Sequence, residues 1–420
     1  MALKMMDRMD PWSSFHYHER VDLFRSMCRY WTGVLDLLKP DLILFALPPH
    51  NASDYVLYGL AHSRGIVVVF FGYTGIPGYI YPANRIEDPP PFLSRYQSLL
   101  SSDLNAGKEL PVIIEEHIRT LSGQYAEAIP PFLKDQLAQP DLKSVLRKVA
   151  KFFYIHRYPI YLWKRSPVPY KQRFRVIGES RMGPIEHRLY GYVAKLKLRR
   201  LWREYHRWAV VPDLDVPFIY VALHYQPELT TCPQGGAFAD QRDVIDVLSS
   251  TIPEGWYLYV KEHPGQFSAK AIGEMGRDPR YYFDIGSYRN VRLVPVAYDP
   301  FLLIDAAKAV ATVTGTVGWE AIIRGTPALV FGYAWYRYCE GAFYVPSHEL
   351  CKSAIEVIRS GYRVDNDRVR LWLRAIEDSC VKAYLTPEDE QICGHSREEN
   401  AENLAQSIAD AYAGLHQRHA

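Results

Sequence analysis

Residues 309–331 read AVATVTGTVGWEAIIRGTPALVF, and this stretch decides the fold class. Ala309–Thr312 is a short apolar run of strand length, Val317–Arg324 carries a helical pattern, and Ala328–Phe331 is apolar again. Strand, helix and strand inside 23 residues form the unit that builds parallel sheets covered by helices. The same alternation extends upstream. Pro217–Leu223 and Trp256–Lys261 read as strands, Gln241–Ser250 as the helix between them, Val291–Leu293 as a short strand and Pro300–Ala307 as a helix. A second, earlier series consists of a strand at Leu42–Leu47 ended by Pro48 and Pro49, a helix at Ala52–Arg64 and an all-apolar strand at Ile66–Phe71. Glu19–Leu38 reads as a helix, with no clear strand before it.

Two such series fit the length. A chain of 420 residues exceeds what one core organises. The expected division is an N-terminal Rossmann-like domain over 1–210, a C-terminal one over 211–396, and a helix over 397–420 that packs back on the first domain. Composition is that of a globular protein, with 48% hydrophobic and 23% charged residues. The net charge of +2 identifies no partner. Its distribution is more informative: between Lys143 and Arg207 there are 18 Lys or Arg against three acids, Glu179, Glu186 and Glu204. No nucleic-acid motif accompanies this basic region over 143–208, so it suits an anionic lipid or glycan surface better than RNA. The six cysteines form no CxxC pair, which fits a reducing compartment and argues against zinc. Without a signal-type or spanning apolar segment, the expected location is the cytosol, at most peripheral at the inner face of a membrane.

Three clusters follow strand ends, where open α/β sheets bind ligands. The first is His224-Tyr225-Gln226-Pro227-Glu228, continued by Gly235, Gly236 and Asp240; Gln226 and Glu228 suit a sugar or base, and the glycines let amides approach a phosphate. The second is Lys261-Glu262-His263-Pro264-Gly265, in which His263 beside Lys261 can donate to a departing phosphate. The third is the turn Thr314-Gly315-Thr316-Val317-Gly318 opening a helix. Its N-terminus and hydroxyls suit an anion, and Glu320 lies one turn further on, within reach of ribose hydroxyls. The loop Gly332–Tyr336 is expected to wall the same cleft.

The order of these elements resembles the capsule polysaccharide biosynthesis proteins, which include bacterial Kdo transferases. Gln226 and Glu228 follow one strand, His263-Pro264 the next, then come Thr314, Thr316, Gly318 and Glu320-Ala321, and finally Gly325, Pro327, Phe331-Gly332 and Tyr336. The likeness spans about residues 217–336. It implies a GT-B fold, two Rossmann-like domains facing a cleft, with a nucleotide-sugar donor, CMP-linked, in the C-terminal domain and a glycan or lipid-linked acceptor in the N-terminal one. Donor contacts would then come from Gln226, Lys261, Thr314, Gly315, Thr316, Gly318, Glu320 and Tyr336, with His263 on the donor phosphate. The candidate catalytic carboxylates are Glu228, Asp240 and Asp54, Glu228 first because it stands in the richest cluster. Asp54 and Tyr73 are the acceptor-side candidates. Many family members that use CMP-Kdo have an acidic residue just after the second N-terminal strand, where this chain reads Phe71-Gly72-Tyr73-Thr74-Gly75.

The expected activity is metal-independent sugar transfer to a surface polysaccharide, with no cofactor, since clustered carboxylates for a metal are missing from the motifs. Two other functions share these residues: a polyol-phosphate transferase of the teichoic-acid type, and a non-catalytic subunit that binds nucleotide or glycan.

Overall fold

The computed structural model describes residues 1–9, 15–102, 107–128, 184–228, 230–268 and 273–419. Most of the basic region over 143–208 lies outside them; its described part is the helix Pro184–Trp208.

The later α/β series forms a six-stranded, all-parallel sheet. Its strands are β4 (Phe218–Ala222), β5 (Tyr257–Lys261), β6 (Val291–Val294), β7 (Ala309–Thr312), β8 (Ala328–Val330) and β9 (Ala342–Tyr344), in spatial order β6-β5-β4-β7-β8-β9. This is the doubly wound order, in which the chain builds outward from β4 to one edge and then restarts beside β4 at β7. Side-chain alternation feeds two helical layers. On one face Ile219, Val221, Leu258 and Val260 pack on Val244, Ile245 and Leu248 of the helix Gln241–Thr251, with Leu201 and Tyr205 of the long helix. On the other, Phe218, Tyr220 and Tyr259 meet Phe301, Leu303 and Ile304 of the helix Pro300–Ala306. Each fully buried aliphatic or aromatic side chain contributes about 1.5–3 kcal/mol, so the two-sided burial explains why these strands read as unbroken apolar runs.

The earlier series forms a four-stranded sheet, β1 (Leu42–Phe45), β2 (Val67–Tyr73), β3 (Tyr79–Ala83) and β10 (Val381–Lys382), adjacent in that order. β1 and β2 are parallel, with the helix Ala52–Ser63 as their crossover. β3 then turns back antiparallel to β2. Only residues 74–78 connect them, too few for a parallel crossover of a dozen or more. Gly75 (φ 73°) and Gly78 (φ 81°) supply the left-handed conformations, while the buried Thr74 hydroxyl donates to Tyr79 O (2.8 Å) and accepts from Ile76 N (3.2 Å). Among the described residues no strand precedes β1, in keeping with the sequence.

The chain returns to this first sheet earlier than residue 397. The helix Asn366–Ser379 buries Trp372 against Phe92 and Tyr96, with ring centroids 5.0 Å apart in both pairs, and β10 then pairs with β3. The helix Arg397–His419 completes the return, its Asn400 bonding both N–H (2.8 Å) and C=O (3.1 Å) of Tyr384. The apolar face of residues 369–376 packs in one cluster with Phe92, Tyr96 and Leu99 and with Trp319, Ile322, Ala328 and Val330 of the six-stranded half, so this segment bridges the two halves ahead of the last helix.

Candidate functional site

In a doubly wound sheet the crevice lies beyond the carboxyl ends of the two strands where the winding reverses, here β4 and β7. His224 and Thr312–Thr314 leave those ends, and they touch. His224 Nε2 is 3.1 Å from Thr312 Oγ1 and 3.3 Å from the Thr314 amide nitrogen, while Nδ1 is 2.8 Å from Glu228 Oε1. The Thr230 hydroxyl donates to the same carboxylate oxygen (2.7 Å). Burial alone raises the Glu228 pKa. Attraction to His224, hydrogen bonds from His224 and Thr230, and nearby His263 outweigh that effect and hold the carboxyl below its ordinary value.

His263 leaves the end of β5. Its Nδ1 accepts the N–H of Gly265 (3.0 Å), so in the neutral ring the proton sits on Nε2, which has no partner among the described residues. Burial lowers the His263 pKa, against the pull of Glu262 and Glu228, and so favours that neutral donor. Lys261, the last residue of β5, is 4% exposed; burial pushes it down to about 8, against Glu262 and Asp299.

The third cluster holds several donors. The turn after β7 caps the helix Thr316–Ile323 with Gly315. The amides of Thr314 and Gly315 are occupied by His224 and by Thr312 Oγ1 (3.1 Å), but Thr314 Oγ1 is buried with no partner among the described residues, and the amides of Thr316 and Val317 stand in the first turn of the helix, where no intrahelical acceptor reaches them. Glu320 accepts from the Thr316 hydroxyl (3.0 Å), and burial raises its pKa despite that bond and Arg324. A cavity of about 240 Å³ opens beside Glu228, lined also by Gln226, Asp240, Arg242 and Arg277, with Lys4 and Asp7 from the N-terminal helix Ala2–Met9.

A family model described as capsule polysaccharide biosynthesis protein matches residues 102–341. The chain belongs to that family. No curated protein matches it. Among solved structures it is similar to the KpsC β-Kdo 2,7 transferase of Thermosulfurimonas dismutans, at 15% identity over 48% of this chain and 60% of that one, with a TM-score of 0.29. It is also similar to the UDP-GlcNAc 2-epimerase of Methanocaldococcus jannaschii, at 13% identity over 87% and 83% of the two chains, with a TM-score of 0.30. A third is MnaA of S. aureus with UDP, at 10% identity over 89% and 88%, TM-score 0.26. The chain spans 60% of the KpsC 2,7 transferase chain and 54% of the KpsC β-Kdo 2,4 transferase chain. Its fold is α/β, with an all-parallel six-stranded sheet in the doubly wound order and a second, four-stranded sheet.

In this capsule polysaccharide biosynthesis protein, Glu228, His263, Lys261, Thr314, Thr316 and Glu320 gather at the carboxyl edge of the six-stranded sheet. Other expected residues have different roles. Asp240 caps the helix Gln241–Thr251 through the Arg242 amide (3.1 Å) and pairs with the Arg242 guanidinium (2.9 Å). Tyr336 is not a cleft wall: it is fully buried, and its hydroxyl donates to the Gly315 carbonyl. Gly318 makes room for it, because a Cβ there would lie 2.3 Å from the Tyr336 hydroxyl. Gly315 likewise admits Thr312 and His224, whose Oγ1 and Cε1 would lie 2.8 and 3.2 Å from a Cβ. Gln226 donates through Nε2 to the Thr231 hydroxyl (2.5 Å). Asp54 stands in the first turn of its helix, bonded to Asn51 (3.1 Å), beside the cluster where Met5 and Met6 meet Cys232 and Ala239. Tyr73 donates to Asp389 (3.2 Å) in the returning segment, away from the crevice.

Sequence reasoning gave no supporting role to the residues that hold the site in place. Gln241 bonds both N–H (2.7 Å) and C=O (3.3 Å) of His224, and Gln266 bonds both N–H (2.8 Å) and C=O (3.0 Å) of Gln226. The two amides thus act as short strand partners for the loop. Buried Glu262 pairs with Arg277 (2.9 Å), which also reaches the His224 carbonyl (2.9 Å), and so joins the first two clusters. Only Glu262 had a signal, its place inside Lys261-Glu262-His263.

Among the described residues there is no group of three or more His, Cys, Asp or Glu placed to hold a metal, and no helix long and apolar enough to cross a membrane.

Proposed function

We propose that this protein is a glycosyltransferase that moves a sugar from a CMP-linked donor, Kdo or a related acidic sugar, to a surface polysaccharide or lipid-linked glycan, without a metal. The observation that carries this reading is the pairing of a neutral donor and an ionised carboxylate in one crevice, His263 with its Nε2–H and Glu228 held below its usual pKa. As the sugar–phosphate bond breaks, its electron pair leaves with the nucleotide phosphate, and a hydrogen bond from His263 Nε2 stabilises the growing charge. Lys261, the Thr314 hydroxyl and the first amides of the helix Thr316–Ile323 supply further donors to the phosphate. Glu320 takes the nucleoside. Glu228 is the carboxylate that drives attack at the anomeric carbon.

Of the two acceptors, the helix Pro184–Trp208 favours the lipid-linked one. Arg199, Arg200, Arg203 and Arg207 are exposed there together with Leu196 (59%) and Trp202 (48%), a mixture suited to an anionic membrane surface.

Thermal unfolding in the presence of nucleotides tests the donor assignment. CMP or CTP at 100 times its dissociation constant should add about 2.7 kcal/mol of stability, unchanged by a chelator. Stabilisation by uridine or guanosine nucleotides alone removes the CMP assignment. CMP release with glycerol phosphate transferred in place of a sugar makes the protein a polyol-phosphate transferase. Nucleotide binding with no turnover makes it a non-catalytic subunit.

A further inference from the structure

His224 is nearly fully buried, and the reading above gives it no contact with donor or acceptor. Its backbone is held by Gln241 at both N–H and C=O and by Arg277 at C=O, which fixes the point from which the ring projects, and the ring's own contacts at both nitrogens set its orientation. The ring meets a different loop at each nitrogen. A backbone amide can only donate, so the Thr314 N–H (3.3 Å) makes Nε2 an acceptor. The neutral ring then carries its proton on Nδ1, where Glu228 Oε1 is 2.8 Å away and can only accept when ionised. His263 is the reverse, its Nδ1 accepting from Gly265 and its Nε2 carrying the proton.

We propose that His224 is a positioning residue that sets the distance between the Glu228 carboxylate and the anion-binding turn at Thr314–Thr316, one ring serving both loops. This rests on the donor occupying that crevice. The Nδ1–H fixes the Glu228 oxygen, and the Nε2 lone pair fixes the Thr314 amide. The glycine at 315 is what lets the ring come so close to the turn, since a Cβ there would lie 3.2 Å from Cε1.

The first test needs no substrate. In 15N-histidine-labelled full-length protein at about pH 8, where unperturbed rings are neutral, the ring resonances are assigned by their loss in His224→Asn and His263→Asn. His224 should show the Nδ1–H tautomer and His263 the Nε2–H tautomer; an Nε2–H or averaging His224 overturns the proposal. The second test separates the two ends of the ring. His224→Asn keeps a donor near Nδ1, whereas His224→Gln carries a carbonyl acceptor toward Nε2. With melting temperature as the check on folding, His224→Asn should weaken CMP binding about five-fold, the loss of one neutral hydrogen bond, and leave turnover of bound donor nearer normal. His224→Gln should hold CMP normally while turnover falls about 10- to 100-fold, the loss of a hydrogen bond to a charged group. Equal damage to both quantities in both variants means a general packing role and sinks the proposal. If wild-type protein binds no nucleotide, the donor reading fails, and the tautomers still decide the placement of His224.

Discussion

At the residue scale, His263 and Glu320 should separate kinetically, because one is assigned to charge that develops only in the transition state and the other to a contact kept throughout. Folded His263→Ala should lose about 10²-fold or more in kcat with donor KM changed less. Glu320→Ala should raise donor KM while leaving kcat nearer wild type, since it removes binding common to ground and transition states. Steady-state kinetics over donor concentration decides both; a wild-type kcat for His263→Ala ends the phosphate-contact role. Single residues were legible in the sequence where their chemistry was local. His263 precedes Pro264, and its tautomer is set by an amide two residues away. His224 was not legible as a support, because its partners Thr312 and Thr314 lie 88 and 90 positions along the chain. Tyr336 misled for a related reason: a tyrosine after a strand end fits a cleft wall, and only tertiary packing puts it under Gly318.

At the element scale, the strands of the six-stranded sheet were readable because burial on both faces demands continuous apolar runs. β3 was not, since Pro82 interrupts Tyr79–Ala83, and β9 and β10 are only three and two residues long. Helix starts show how one residue type supports two readings. Asp240 has the composition of a catalytic carboxylate and the position of an N-cap, and its hydrogen bond to the Arg242 amide favours the cap. Asp240→Asn, which keeps a capping oxygen, should therefore retain most turnover and stability. Asp240→Ala should cost about 1 kcal/mol in denaturant unfolding. A collapse of turnover in the well-folded Asn variant would return Asp240 to the chemistry.

At the scale of the whole molecule, the two halves are joined by side chains that reach backbone across the boundary. Arg337 donates to the carbonyls of Glu87 (2.6 Å) and Asp88 (2.8 Å), and Arg324 to those of Leu121 (2.9 Å) and Gly123 (3.0 Å). The basic helix Pro184–Trp208 is placed relative to the crevice by Leu201 and Tyr205, which pack on the six-stranded sheet itself. If that helix attaches the enzyme to its acceptor's membrane, flotation with vesicles containing anionic lipid should recover the protein at low salt and progressively lose it as ionic strength rises. Equal recovery with neutral vesicles rules the electrostatic attachment out.

The late return of the chain to its first sheet also orders events during synthesis. Every strand of the six-stranded sheet lies within residues 218–344 and the helix that completes its core ends at Arg359, so that half can close once the chain has emerged to that point. The first sheet cannot close, because the free edge of β3 waits for Val381–Lys382, some 300 residues behind it, and for the helix that follows. Translation at about 5–20 residues per second leaves that edge bare for roughly 15–60 seconds. During that interval the half made first is the half finished last, and its unpaired strand is the point where a nascent chain of this protein is open to a chaperone or to another chain like itself.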